Sequence, residues 1–100
     1  MSPTDVKDRR VYPRVVVSWP VRLWNEDEVL VGRAIDMSEQ GLCIMTAPTE
    51  ALKRGDSYRV ELMVGPSAQI ACTGEIRHVT HTNLNALIGV RTRERLPLES

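Results

Sequence analysis

The chain has 100 residues, of which 42% are hydrophobic and 26% charged, and its 13 basic and 13 acidic side chains give a formal net charge of zero. This composition is typical of a single globular domain and excludes a disordered chain. The absence of a basic excess also argues against a general DNA- or RNA-binding protein.

Residues 1–8 are polar and lack periodicity, and we expect them to form a flexible N-terminal arm. β-Branched residues and recurring turn signals then predict an all-β domain over residues 9–96, with 97–100 as a C-terminal tail. Six short strands favour a small antiparallel β-barrel or a sandwich. The predicted strands cover residues 15–24, 28–35, 42–46, 58–64, 70–79 and 86–92.

The segments between the strands carry their own signals. Pro20 lacks a backbone N–H and indicates a bulge or an edge position in the first strand. Residues 36–41 are predicted to form a tight turn, and residues 49–54 could form one helical turn. The segment after residue 92 is short and contains proline, so we expect little or no C-terminal helix.

The two cysteines, Cys43 and Cys72, are too few and too far apart in sequence for a zinc site. Each lies in a predicted strand, where a buried and unreactive thiol is expected. No signal peptide is recognised, and no apolar run approaches the ~20 residues that cross a bilayer. We therefore expect a cytoplasmic protein without direct membrane insertion.

An arginine cluster precedes the first predicted strand. Arg9, Arg10 and Arg14 flank a short segment in which Pro13 restricts the backbone next to Arg14. Guanidinium groups present planar donor forks that fit phosphate oxygens or the O6/N7 edge of guanine. The alternative is an arm whose basic side chains are simply solvated.

A second motif, Asp-x-Ser-x-x-Gly, is formed by Asp36, Ser38 and Gly41. It brings together a carboxylate, a hydroxyl and a glycine, which permits a left-handed or close-approach backbone that a Cβ would block. Ordinary turn chemistry is the alternative explanation. Together with the arginines, the motif predicts a site for a guanine-containing phosphodiester.

The order of these features resembles the PilZ family over nearly the whole chain. Arg-x-x-x-Arg is followed by a strand pair, by Asp-x-Ser-x-x-Gly and finally by Ile88-Gly89-Val90. The resemblance implies a six-stranded β-barrel that binds cyclic di-GMP, a bacterial second messenger.

The resemblance also implies roles for the two motifs. The loop of Arg10 and Arg14 would wrap around the dinucleotide, while Asp36, Ser38 and Gly41 would hold a guanine. The Asp36 carboxylate can accept hydrogen bonds from guanine N1–H and N2–H₂, and adenine cannot supply this pair of donors.

Several positions depart from the family pattern. Many members carry an aromatic residue late in the fifth strand, and His78 is the best-aligned residue here, with Arg77 the other candidate. We expect His78 to contact the ligand, where its ring could stack on a base. An arginine at the position of Arg9 accompanies two stacked, intercalated ligand molecules in the family, so we predict a dimeric ligand.

We therefore expect a receptor without catalytic activity that changes conformation on binding cyclic di-GMP and regulates an unidentified partner protein. The alternative is a PilZ-fold protein-interaction module that binds no nucleotide, in which the arginines meet an acidic partner. A small-barrel nucleic-acid binder is disfavoured by only four aromatic residues. No catalytic, metal-binding or cofactor-binding motif is evident, and a monomer or weak homodimer is expected.

Overall fold

The computed structural model describes residues 14–97, so Arg9, Arg10 and the predicted arm over residues 1–8 lie outside the described residues. The described backbone forms six strands: β1 (Val15–Trp24), β2 (Val29–Ser38), β3 (Gly41–Thr46), β4 (Ser57–Gly65), β5 (Ala68–His81) and β6 (Ala86–Thr92). All neighbouring strands are antiparallel, and they close into a barrel in the order β1-β2-β3-β6-β5-β4. The predicted six-stranded barrel is confirmed.

The core follows from the alternation of side chains along each strand. In β3, Leu42 and Ile44 are buried, while the alternate residues Gly41, Cys43 and Met45 are half-buried. In β4, Tyr58, Val60 and Leu62 face inward in the same way. Full burial of such a side chain contributes about 1.5–3 kcal/mol, so these alternating positions provide the main driving force for barrel closure.

The structure corrects two expectations about the connecting segments. β2 continues to Ser38, so Asp36 and Ser38 lie in a strand, and the predicted turn over residues 36–41 is reduced to Glu39 and Gln40. Asp36 and Ser38 both have pairing partners on β3, so the pairing of β2 with β3 continues up to the turn. Residues 49–54 form no helical turn.

Pro20 occupies a position where its missing N–H is tolerated. It pairs with β2, whereas pairing with β4 begins only at Val21, so its β4 side is an edge. The irregularity in β1 lies between Val16 and Trp19, and is therefore close to Pro20 in sequence but not at it.

Two β-bulges change the direction of side chains near the same part of the barrel. In β2, Ile35 is the extra residue between Ala34, which is buried, and Asp36. In β5, Arg77 is the extra residue between Ile76, which is buried, and His78. Because strand side chains alternate with a period of two, each bulge moves the next residue from the inner to the outer face.

Residues 93–97, which follow β6, cover one end of the barrel and form no helix. Leu96 is only 2% exposed, and its N–H donates to the carbonyl of Glu39 at 2.6 Å. Arg95 Nε lies 3.1 Å from Glu39 Oε1, and the Thr92 N–H donates to the Gln40 carbonyl. The C-terminal segment is thus attached to the β2–β3 turn.

No helix in residues 14–97 is long and apolar enough to span a membrane. The same residues contain no group of three or more His, Cys, Asp or Glu side chains suited to holding a metal ion.

Candidate functional site

One row of residues crosses the outer face of four strands. Asp36 on β2 pairs with Cys43 on β3, Cys43 pairs with Gly89 on β6, and Gly89 pairs with His78 on β5. Three interstrand steps of about 4.8 Å separate the two ends of the row by roughly 14 Å along the sheet. The two middle residues are small, so the row has a low centre between an acidic side chain and an imidazole.

A depression of about 260 Å³ lies along this surface, and we refer to it as the trough. Two glycines, Gly41 and Gly89, contribute to its lining together with longer polar side chains. Its lining residues are Arg14, Ser38, Gln40, Gly41, Leu42, Arg77, His78, Gly89, Val90 and Arg91. The trough therefore brings together Arg14 from the first motif, Ser38 and Gly41 from the second, and His78.

Arg14 and Asp36 form an ion pair at one side of the trough, with Arg14 Nη1 3.4 Å from Asp36 Oδ1. The two side chains are 37% and 34% exposed. Asp36 Oδ1 is itself shielded from solvent and accepts no hydrogen bond from any described residue, because the guanidinium lies close without an aligned N–H. A shielded acceptor without a donor costs about 1–3 kcal/mol, which the ion pair offsets only in part. The carboxylate is thus an acceptor in need of an N–H donor.

Ser38 and Gly41 shape the next part of the trough. The Ser38 hydroxyl accepts a weak hydrogen bond from the Gln40 N–H at 3.4 Å and so stabilises the two-residue turn. A Cβ on Gly41 would lie 3.4 Å from both Ser38 Oγ and the Val90 carbonyl, with φ in the ordinary range for all residues. These are ordinary van der Waals distances, so neither the local packing nor a left-handed conformation requires glycine here, and Gly41 contributes the open space above its backbone to the trough.

His78 is exposed and its ring lies over Gly89. A Cβ on Gly89 would collide with the imidazole, including a contact of 2.7 Å with Nδ1. The absence of a side chain at Gly89 therefore allows the His78 ring to lie across β6 and to line the trough.

Cys43 is half-buried in this row, which corrects the expectation that both thiols are buried. Burial raises the pKa of the Cys43 thiol, and the nearby Asp36 carboxylate raises this pKa further, while Arg14 opposes the increase. Cys72 is buried as expected, and burial raises the pKa of its thiol to about 11.

Gly89 and Arg91 line the trough, although neither was predicted from the sequence to contact a ligand. The alternation of β6 could have placed Gly89 and Arg91 on one face. It could not show that β6 lies next to β3, because these strands are distant in sequence.

Comparison with known proteins identifies the family. The model of the PilZ domain matches residues 8–100. No curated protein matches the sequence. The fold is similar to the inhibitor of motility MotI/DgrA from Bacillus subtilis, with a TM-score of 0.75, 17% identity, and coverage of 88% of this chain and 44% of that chain.

Two structures from Escherichia coli are similar as well. The PilZ domain of YcgR with c-di-GMP gives a TM-score of 0.73 at 17% identity, covering 85% of this chain and 78% of that one. The structure of YcgR in complex with c-di-GMP gives a TM-score of 0.71 at 18% identity, covering 84% of this chain and 38% of that one. The present chain thus spans less than half of MotI/DgrA and of the longer YcgR chain. With nearly all of its length matched by the family model, the chain belongs to the PilZ domain family.

Proposed function

We propose that this chain is a receptor for cyclic di-GMP, which binds in the trough and acts through a partner protein without catalysis. The observation that carries the proposal is the arrangement of Arg14 and Asp36, which joins the two motifs at one side of the trough. The similarity to the c-di-GMP complexes of YcgR supports the same ligand.

Asp36 is the residue we propose to recognise the base. Its Oδ1 lacks a hydrogen-bond donor among the described residues, and guanine offers the adjacent N1–H and N2–H₂ donors. Adenine presents an unprotonated N1 at this position, which would face the carboxylate as a second acceptor. Guanine is therefore favoured because its two donors pair with the Asp36 carboxylate, and adenine is disfavoured because its N1 lone pair repels that carboxylate.

The small residues in the trough provide room for a planar ring. Gly41 and Gly89 line the trough, Cys43 lies beside it across from Gly89, and His78 lies beyond them on β5. A base held by Asp36 would lie over Gly41 and Cys43, and we propose that the His78 ring, which covers Gly89, contacts its edge from the side of β5. Arg14 would exchange part of its ion pair with Asp36 for contact with the ligand.

The roles proposed for Arg9 and Arg10 rest on the sequence motif and the family. Arg10 would join Arg14 in wrapping around the dinucleotide, and Arg9 would favour two intercalated ligand molecules. A change in the arginine segment on binding would present a new surface to the partner protein. The regulated partner is a proposal of the same kind, made from family membership.

Isothermal titration calorimetry with cyclic di-GMP and cyclic di-AMP tests the receptor function. We expect saturable binding of cyclic di-GMP, with about two ligand molecules per chain, and no binding of cyclic di-AMP. A stoichiometry of one would refute the dimeric ligand but not the receptor function. No heat and no increase in melting temperature with cyclic di-GMP would refute the receptor and favour the nucleotide-independent interaction module.

Matched arginine variants locate the site. Arg14→Ala should weaken binding by about 1.5–3 kcal/mol, the contribution of a hydrogen bond to a charged group. Arg22→Ala is the control, because Arg22 also lies in an exposed ion pair, 2.7 Å from Glu61, but outside the trough. Equal affinities of the two variants would place the site elsewhere.

A further inference from the structure

Arg91 lies on the trough but belongs to neither sequence motif. It is exposed on β6, directly across from Gly41 on β3 in the strand register. The same side chain also lines a second depression, of about 200 Å³, in which Arg93 participates. Arg91 therefore stands at the boundary between the trough and the neighbouring surface.

Two of the three arginines that line the trough within residues 14–97 are already paired with carboxylates. Arg14 lies next to Asp36, and Arg77 Nη1 lies 3.8 Å from Glu75 Oε1. None of the ion pairs of the described residues includes Arg91. In the β5–β6 register Glu75 is the residue across from Arg91, yet its carboxylate is within ion-pair distance of Arg77 instead.

This distribution of charge matters for an anionic ligand. A paired arginine must lose part of an existing interaction before it can compensate a phosphate, whereas an unpaired arginine gains one. Among the described residues of the trough, Arg91 is the arginine whose positive charge has no carboxylate within 4 Å. Its guanidinium can also reach across β3, because the opposite position, Gly41, has no side chain.

We propose that Arg91 binds a phosphate group of the ligand from the side of the trough opposite Arg14. This inference rests on the proposed function and adds a residue to the site that neither motif contains.

Three single variants test the proposal by calorimetric titration with cyclic di-GMP. Arg91→Gln should weaken binding at least about tenfold, the effect of losing one charge-assisted contact. Arg93→Gln is the matched control, since it removes the same charge from an exposed arginine that lines only the second depression. It should change the affinity less than about twofold, since an exposed charge outside the site is screened. Arg91→Lys keeps the positive charge and should retain affinity within about threefold, since a lysine can still bind a phosphate as a point charge.

The outcomes separate this inference from the proposed function. Tight binding by the parent chain together with unchanged binding by Arg91→Gln would overturn the role of Arg91 alone. Equal losses in Arg91→Gln and Arg93→Gln would also overturn it, since the effect would then be a general one of net charge. A loss in Arg91→Lys as large as in Arg91→Gln would overturn the phosphate contact. Absence of binding by the parent chain would overturn both proposals.

Discussion

Arg14, just before β1, and Asp36 on β2 form an ion pair with 3.4 Å between Nη1 and Oδ1, and so connect the two sequence motifs directly. Arg14 is the last residue of the arginine motif, and Asp36 is the first residue of Asp-x-Ser-x-x-Gly. The bulge at Ile35 makes this contact possible, because without the extra residue Asp36 would point toward the barrel core. A ligand that engages either side chain therefore affects the other.

The Asp36→Asn variant separates the binding role of this residue from its contribution to stability. The partly exposed ion pair contributes only about 0–1 kcal/mol to folding, so the free energy of unfolding should change by less than about 1 kcal/mol. Affinity for cyclic di-GMP should fall by about 1.5–3 kcal/mol, because the amide offers one acceptor where the carboxylate offers two. Urea unfolding and calorimetric titration measure the two quantities. A large loss of stability with unchanged affinity would show that Asp36 is only structural.

Gly89→Ala tests the contact between Gly89 and His78. The added Cβ would collide with the imidazole, and because His78 is exposed its ring can move away, at an expected cost of about 0.5–1.5 kcal/mol. Removing the ring in the double variant Gly89→Ala/His78→Ala should recover most of this loss. A double-mutant cycle from urea unfolding gives the coupling between the two residues. Additive effects would show that the ring does not lie over Gly89 in solution.

Cys43 provides a chemical probe of the trough. Only the thiolate reacts with iodoacetamide, and burial and Asp36 raise the pKa of Cys43, so alkylation should be slow at neutral pH and accelerate as the pH rises. Saturating cyclic di-GMP should protect the thiol, because Cys43 lies between Asp36 and Gly89. Mass spectrometry of the intact chain measures the rate, and Cys43→Ser provides the control. Equal rates with and without bound ligand would place the ligand away from this row.

The raised pKa of Tyr58 predicts that the fold loses stability in alkaline solution. Its side chain is buried and its hydroxyl donates to Glu28 Oε2 at 2.8 Å. Burial and this hydrogen bond raise the pKa of Tyr58 from 10.0 to about 12. Between these values the unfolded chain loses the proton while the folded chain keeps it, so the free energy of unfolding should fall as the pH rises from about 10 to about 12. Tyr58→Phe should show a smaller decrease over the same range when urea unfolding is measured at several pH values. A decrease equal to that of the parent chain would assign the effect to other groups.

The sequence was sufficient to predict the six strands and to recognise the two motifs, because side-chain alternation, turn signals and motif spacing are local properties. The same local information placed Asp36 and Ser38 in a turn, whereas both are in β2. Their strand pairing depends on register with β3 and on the bulge at Ile35, which a single sequence does not display. Likewise, Arg91 lies near Gly41 only because the closing barrel places β6 beside β3.

Truncation of Leu96 tests whether the C-terminal segment closes the barrel end next to the second motif. Leu96→Ala should destabilise the fold by about 2–5 kcal/mol, since the leucine is 2% exposed and its removal leaves a cavity. Leu84→Ala is the matched control, because Leu84 is 77% exposed and its truncation should change stability by less than about 0.5 kcal/mol. The variant should also accelerate amide hydrogen exchange at Thr92 and Leu96, whose N–H groups donate to the Gln40 and Glu39 carbonyls. A change below 1 kcal/mol with unaltered exchange would show that the segment packs loosely in solution and does not support the β2–β3 turn.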